Sequence, residues 1–242
     1  MRKALETGPF VCRRIAAPCG WSNAWSNSPP GRTSAVDAAW VIGLDSWIVQ
    51  DGNYRDFSEG QDAAFAVEFF PGELGVIRGT NPTASHLGGN RYRIEGQVVF
   101  ASARAWVLDC GICMYEEHPP PTGVAVGAFV EGEVCLGVDP FFYYEELAKL
   151  PDMPPLVYGW HIARIELDLA PWIEVKPRTF ERDTTRPGWK DVDATDAWND
   201  DGGNAHYLLH SRLLDRPATR HPAHGRSRRS AAPGSTATNR TG

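Results

Sequence analysis

Two cysteines have the residue type and spacing of a redox or zinc-binding pair. Cys110 and Cys113 are separated by two residues, and such a pair is reactive when the first thiol lies at a helix N-terminus. Here the flanking residues alternate as in a strand, where positions three apart point to opposite faces. We therefore expect Cys110 to be a core thiol and Cys113 to have no special role. The alternative is a redox or metal site, in which His118 and Cys135 are the nearest further ligands.

Aspartates and histidines near the end of the folded part have residue types that bind cations. The aspartates do not match a twelve-residue calcium loop, which has Gly at position six and Glu at position twelve, and beside glycine they also close turns. His206 and His210 would share a helix face as metal ligands, but a turn at 200–203 favours a strand over 205–213. The sequence thus predicts neither a metal site nor a cofactor. The aspartates are Asp191, Asp193, Asp196, Asp200 and Asp201.

Two further aspartates are candidates for acid–base catalysis. Asp45 and Asp109 are flanked by apolar residues, and a carboxylate in such surroundings must be paired or must have a raised pKa. Either of them, together with His161, would provide a general acid and base. Pairing with an arginine or a tryptophan N–H is the structural alternative. The chain has neither a nucleophilic-serine elbow nor a phosphate-binding glycine loop.

Residues 45–57 mix aromatic and polar side chains, as binding surfaces do. Trp, Tyr and Arg are enriched among the residues that dominate protein–protein binding energy. The sequence therefore favours a protein-binding module of the inhibitor or immunity type. The alternatives are an enzyme whose acid–base site uses Asp45 or Asp109 with His161, and a structural subunit. The predicted binding residues are Trp47, Asp51, Asn53, Tyr54 and Arg55.

The elements that must position these residues are mostly strands. Apolar residues recur at every second position in six or more runs, separated by clusters of Gly, Pro, Asn and Asp. This pattern predicts a mainly β protein, an antiparallel sheet closed into a barrel or folded into a sandwich. One short helix is expected over 141–150, because Asp139 and Pro140 favour an N-terminus and Pro151 ends it.

The order of elements from Gly96 to Asp139 resembles that of the small five-stranded barrels called OB-folds. A strand broken by Gly96, a second long strand and two more strands precede the predicted helix, and OB-folds have a helix between the third and fourth strands. The resemblance implies the fold alone. OB-folds that bind nucleic acid carry aromatics among Lys and Arg, whereas Lys149 is the only such base between Trp106 and Ile162. We therefore expect no nucleic-acid groove.

Composition divides the chain into three parts. The sequence predicts a flexible segment over 1–34, a single β-rich domain over 35–215 and a disordered basic tail over 216–242. The net charge of −6 includes the basic tail, so the domain itself is more acidic, which disfavours nucleic-acid binding. No apolar run approaches the length that spans a bilayer, and five widely spaced cysteines do not suggest secreted disulfides. We expect a cytoplasmic protein whose partner is another protein and not a membrane.

Overall fold

The computed structural model describes residues 39–79, 81–183 and 185–215, which form a mostly β structure. The predicted segments 1–34 and 216–242 lie outside the described residues. In the described residues the strands are β1 (Ala39–Asp45), β2 (Asp62–Phe65), β3 (Val67–Ile77), β4 (Thr83–Gly88), β5 (Arg91–Ala101), β6 (Trp106–Asp109), β7 (Cys113–Glu116), β8 (Phe129–Val138), β9 (Tyr158–Asp168), β10 (Trp172–Lys176), β11 (Thr179–Arg182), β12 (Trp189–Val192) and β13 (His206–Asp215).

The helices are short. Helix α1 (Ser46–Gln50) follows β1 directly and was not expected from the sequence, whereas α2 (Phe142–Glu145) falls within the predicted helix and leads into a 3₁₀ turn at Leu147–Lys149. The predicted helix is shortened because Phe141 has a left-handed backbone (φ 79°) and Glu146 interrupts the helical geometry. A second 3₁₀ turn, Asp200–Gly203, precedes β13.

The sequence predicts a sheet closed into a barrel or folded into a sandwich, and five strands of the structure close into a barrel. β3 pairs with β8 and β7, β7 pairs with β6, β6 pairs with β5, and β5 returns to β8. These pairs are antiparallel except β3–β7, where Glu68 lies opposite Tyr115. Helix α2 follows the last barrel strand and does not lie between the third and fourth. In this respect the order of elements differs from that of OB-folds.

The remaining long strands extend the sheet away from the barrel. β1 joins β8 in parallel and pairs with β13, β9 lies beyond β13, and β12 and β2 pair with the far edge of β9. Leu44 and Tyr207 face each other across β1 and β13 and are fully buried in the core. Because successive residues of a strand point to opposite faces, their neighbours Asp45 and His206 lie on the outer face.

Strand β9 departs from strict alternation. Trp160, Ile162 and Ile165 are all buried. In an uninterrupted strand, Ile162 and Ile165 would point to opposite faces of the sheet because they are three positions apart. The pairing of β13 with β9 shifts between His210 and Ser211, which marks a β-bulge. The extra residue at a bulge turns the strand, so the core-facing set changes there.

Candidate binding surface

The structure separates the predicted binding residues. Trp47 lies on α1 with 44% of its surface exposed, and Asp51 and Arg55 are exposed in the loop that follows. The amide of Asn53 donates a hydrogen bond to Asp51 (3.4 Å) within this loop. Tyr54 instead packs inward. Trp47, Asp51 and Arg55 therefore remain accessible to a ligand, whereas the Tyr54 hydroxyl is buried.

Tyr54 belongs to a buried cluster of acids and tyrosines. Its ring lies 5.8 Å from that of Phe141, and its hydroxyl has no hydrogen-bond partner among the described residues. Asp139, which is fully buried, accepts hydrogen bonds from the Tyr115 hydroxyl (2.5 Å) and the Tyr143 N–H (3.2 Å). Burial raises the pKa of Asp139 to about 6, although these hydrogen bonds act in the opposite direction.

Glu68 adds a second acid to this cluster. It is half-buried on β3, opposite Tyr115. Burial, and then the charges of Asp139, Glu117 and Glu116, raise the pKa of Glu68 to about 8. Glu68 is therefore mostly protonated at neutral pH. Since Asp139 is closed off from solvent, the cluster affects stability and is not an open site.

An aspartate–histidine pair lies where β1 ends and β13 begins. Asp45 faces His206 in the antiparallel register, with Asp45 Oδ1 2.7 Å from His206 Nδ1. Packing around His206 lowers its pKa, but the hydrogen bond and charge of Asp45 outweigh this effect and raise it. Burial has the opposite effect on Asp45 and raises its pKa, but the hydrogen bonds from His206 and Trp47 and the charge of His206 lower it below the usual value. The pKa shifts favour the charged form of both groups, and His206 Nε2 has no hydrogen-bond partner in the described parts of the chain.

Arg182 of β11 lies near this pair, close enough for its charge to lower the pKa of Asp45. Its guanidinium lies 2.6 Å from a carboxylate oxygen of Asp201 and 3.7 Å from Asp168. The indole N–H of Trp172 donates to the same oxygen of Asp201 (2.6 Å), and the Arg182 guanidinium stacks 4.1 Å above the Trp172 ring. This arrangement is a cation–π contact anchored by one shared carboxylate. Asp168 lies opposite Trp189 of β12, which extends the group across another strand.

Hydrogen bonds from side chains to backbone carbonyls connect α1 to the turn before β13. The Ser46 hydroxyl and the Gln50 amide of α1 both donate to the carbonyl of Gly203 (2.8 Å each), and Gln50 also donates to the carbonyl of Ala197 (2.6 Å). Gly203 has φ of 84°, a left-handed conformation that glycine adopts without strain. The turn at 200–203 is therefore fixed to α1 on one side and, through Asp201, to the β10–β11 hairpin on the other.

The exposed tryptophans of residues 39–215, as far as the structure describes them, are all found around this network. We call the four exposed indoles and the residues between them the tryptophan surface. Every other tryptophan of the described chain lies in the core, with at most 4% exposure. The exposed ones are Trp47 (44%), Trp172 (38%), Trp189 (41%) and Trp198 (66%), and the buried ones are Trp40, Trp106 and Trp160.

The residues predicted for an acid–base site do not meet. Asp45 pairs with His206 and not with His161, which lies 2.8 Å from the exposed Asp62. Asp109 Oδ1 accepts the N–H of Gly111 (2.9 Å) and stabilises the turn between β6 and β7. Of the predicted catalytic residues, only Asp45 has a histidine partner. That partner is His206, which was considered from the sequence only as a possible metal ligand.

The cysteine pair is consistent with two unlinked thiols. Cys110 is 3% exposed and lies near the carbonyl of Ile112 (3.7 Å), while Cys113 is half-buried on β7, and neither of the two forms a disulfide bond. Burial raises the pKa of the Cys110 thiol to about 12, so it is unreactive at neutral pH. Among the residues described, no group of three or more His, Cys, Asp or Glu side chains is arranged to bind a metal ion. His210, which the sequence analysis considered as a metal ligand together with His206, instead pairs with an acid, since its Nε2 lies 2.6 Å from Glu166 Oε2.

Several members of the tryptophan surface are not among the residues predicted from the sequence. Arg182 and three of its indoles were not selected, because they come from the β10–β11 hairpin, β12 and the loop before β13. One signal for them was present. Trp172 follows Pro171, Trp189 follows Gly188, and Trp198 precedes Asn199, so each lies beside a turn-forming residue and not inside an alternating apolar run.

Comparison with known proteins gives no further information about the site. No protein-family model, curated protein or solved structure matches the chain. Within the described residues, no helix is long and apolar enough to cross a membrane.

Proposed function

We propose that this chain is a protein-binding module and that the tryptophan surface is its binding surface. The observation that carries the proposal is the distribution of indoles, since all exposed tryptophans of the described chain surround one ion-pair network. Exposed indoles leave large apolar areas in water, and contiguous apolar area on a soluble surface is typical of interaction sites. Tryptophan and arginine are also the residue types most enriched at binding hot spots.

The rigidity of the surface supports the same proposal. Asp201 fixes both Arg182 and Trp172, and Gly203 is bonded to two side chains of α1. A surface that is already ordered loses less conformational entropy when a partner binds. The indoles are therefore presented on a fixed scaffold, as an inhibitor- or immunity-type module requires.

The proposal is tested by affinity capture followed by a binding measurement. The full-length chain is immobilised, retained proteins are identified by mass spectrometry, and the affinity of the purified partner is measured by calorimetry. The variant Trp189→Ala/Trp198→Ala should weaken binding by at least about thirtyfold, which corresponds to a hot-spot loss of about 2 kcal/mol. The melting temperature should change little, because both indoles are exposed.

The control variant is Val76→Ala/Val126→Ala, which removes exposed apolar side chains (59% and 60%) outside the tryptophan surface. It should bind like the wild type. Equal binding by both variants, or the absence of any partner with measurable affinity, would contradict the proposal.

A second candidate function is acid–base catalysis by the Asp45–His206 pair. A histidine that is oriented through Nδ1 by a carboxylate and has a free Nε2 can transfer a proton to or from a ligand. The pair is also accessible, with 30% of the His206 side chain exposed.

This candidate is tested on nitrophenyl esters, phosphates and glycosides. A hydrolytic activity of the wild type that His206→Asn abolishes and His161→Asn preserves would support it. No activity on any of these substrates, or an activity that survives His206→Asn, would reject it.

A further inference from the structure

The loops beside the tryptophan surface are strongly acidic. Residues 191–201 contain five aspartates and no Lys or Arg, and residues 51–62 contain four acids and one base. These two segments lie side by side, because Ser58 forms a β-bridge with Ala194 and the N–H of Glu59 donates to the carbonyl of Asp193 (2.8 Å). We call the exposed acids Asp51, Glu59, Asp62, Asp193 and Asp196 the acidic margin.

The acidic margin is continuous with the tryptophan surface. Asp51 directly follows the helix that carries Trp47, and Asp196 lies two residues before Trp198. Gln50 bridges the two segments through its bond to Ala197. The segments that carry the exposed indoles Trp47 and Trp198 therefore adjoin those that carry the exposed carboxylates. Arg55 is the base within the 51–62 segment, and it is exposed.

Within the chain, one arginine already binds to an indole ring and a carboxylate together. Arg182 lies over the ring of Trp172 while Asp201 accepts hydrogen bonds from both. A guanidinium suits this geometry better than an ammonium does, because it is planar, stacks on aromatic faces and donates in a fixed fork. Trp47 and Trp198 offer comparable faces with nearby carboxylates and are open to solvent.

We propose that the partner of the tryptophan surface presents an arginine-rich segment, whose guanidinium groups stack on Trp47 and Trp198 and pair with the acidic margin. This inference rests on the proposed binding function and specifies the chemistry of the partner. Charge complementarity supports it, because acids outnumber bases by about two to one over residues 39–215.

An octa-arginine peptide serves as the probe, with octa-lysine of equal charge and octa-glutamate as comparison peptides. Binding to the full-length chain is measured by fluorescence anisotropy at low and high salt. Octa-arginine should bind at least about threefold more tightly than octa-lysine, because guanidinium groups stack on indole rings better than ammonium groups do. Its affinity should fall as salt rises, since exposed charges are screened, and octa-glutamate should not bind.

Matched charge variants separate local recognition from net charge. Asp51→Asn/Glu59→Gln/Asp193→Asn neutralises the acidic margin and should weaken octa-arginine binding about tenfold, as expected for three exposed ion pairs. Glu73→Gln/Glu131→Gln/Asp152→Asn changes the net charge equally at exposed positions outside both regions and should bind like the wild type.

Trp47→Ala/Trp198→Ala should abolish the preference for octa-arginine over octa-lysine. Equal weakening by the two triple variants, or no preference for arginine, would overturn the inference.

A competing occupant is the chain's own basic C-terminal segment. If it held the surface, Arg226→Ala/Arg228→Ala/Arg229→Ala would strengthen octa-arginine binding, and that result would also overturn the assignment to a separate partner. We expect unchanged affinity. The capture experiment on Trp189 and Trp198 stays informative in either case. A captured partner that needs these tryptophans but ignores the acidic margin would leave the binding function in place and refute only its arginine chemistry.

Discussion

Replacement of Glu68 by glutamine tests the buried acid cluster, because it removes one of two carboxyl groups with raised pKa values. A group whose pKa is higher in the folded than in the unfolded state stabilises the fold below the unfolded pKa, and this contribution is lost as pH rises through the folded pKa. For Glu68 the window runs from the usual 4.5 to about 8. The wild type should therefore lose stability between pH 5 and pH 8.5.

The magnitude follows from the size of the shift. One pKa unit corresponds to about 1.4 kcal/mol, so the shift of Glu68 from 4.5 to about 8 gives an upper value of about 5 kcal/mol. Asp139, shifted from 3.8 to about 6, adds up to about 3 kcal/mol between pH 4 and pH 6. Because the two acids interact, they titrate as a pair and the values do not add fully. We expect Glu68→Gln to be more stable than the wild type by about 3 kcal/mol at pH 8.5.

The assay is urea unfolding followed by tryptophan fluorescence at pH 5, 7 and 8.5. Glu73→Gln is the matched control, since Glu73 is an exposed acid on the same strand, and its stability should follow the wild type at each pH. The His206 imidazolium also loses stabilisation as pH rises, but it is common to all three proteins and cancels in the comparison. A pH profile of Glu68→Gln that superimposes on the wild type would refute the reasoning.

Three further predictions concern single side chains. Asp45→Asn removes the charge that raises the pKa of His206, so an NMR titration should show His206 titrating at lower pH, and an unchanged midpoint would contradict the pairing. Asp109→Ala leaves the N–H of Gly111 without its acceptor and should cost about 1 kcal/mol in urea unfolding, whereas no loss would mean that the turn does not need this bond. Cys110→Ala should destabilise by about 1 kcal/mol because a buried sulfur is removed, and bound zinc in the purified wild type that this variant loses would instead show a metal ligand.

Strands and core were predictable because alternation is a local property. In β5, buried residues occupy every second position from Tyr92 through Ile94, Gly96 and Val98 to Phe100, so the sequence alone assigns its core face. In β9 the bulge between Ile162 and Ile165 depends on pairing with β13, and the sequence carries no local mark of it. Helix α1 was missed for a similar reason, since it is fixed by bonds from Ser46 and Gln50 to residues about 150 positions away.

The binding surface was predictable only in part because it combines distant segments through strand register. Asp45 and Trp47 belong to a stretch whose composition indicates binding. Their partner His206 is 161 positions further along the chain, and it faces Asp45 only because β13 pairs with β1 in one register and not in a neighbouring one. A shift of one residue would turn His206 to the core face.

The ion pairs within the tryptophan surface need not be broken when the proposed arginine-bearing partner binds. Asp45 is already paired with His206, and Asp201 with Arg182, so these acids hold the scaffold and are less available to a ligand. Glu59 and Asp193 lie outside these pairs, and their carboxylates accept no hydrogen bond from a basic side chain among the described residues. Attraction for a cationic partner therefore comes from the acidic margin, while the paired residues keep the indoles in place. This division is why the amide substitutions that should weaken binding most are expected to alter the stability of the fold least.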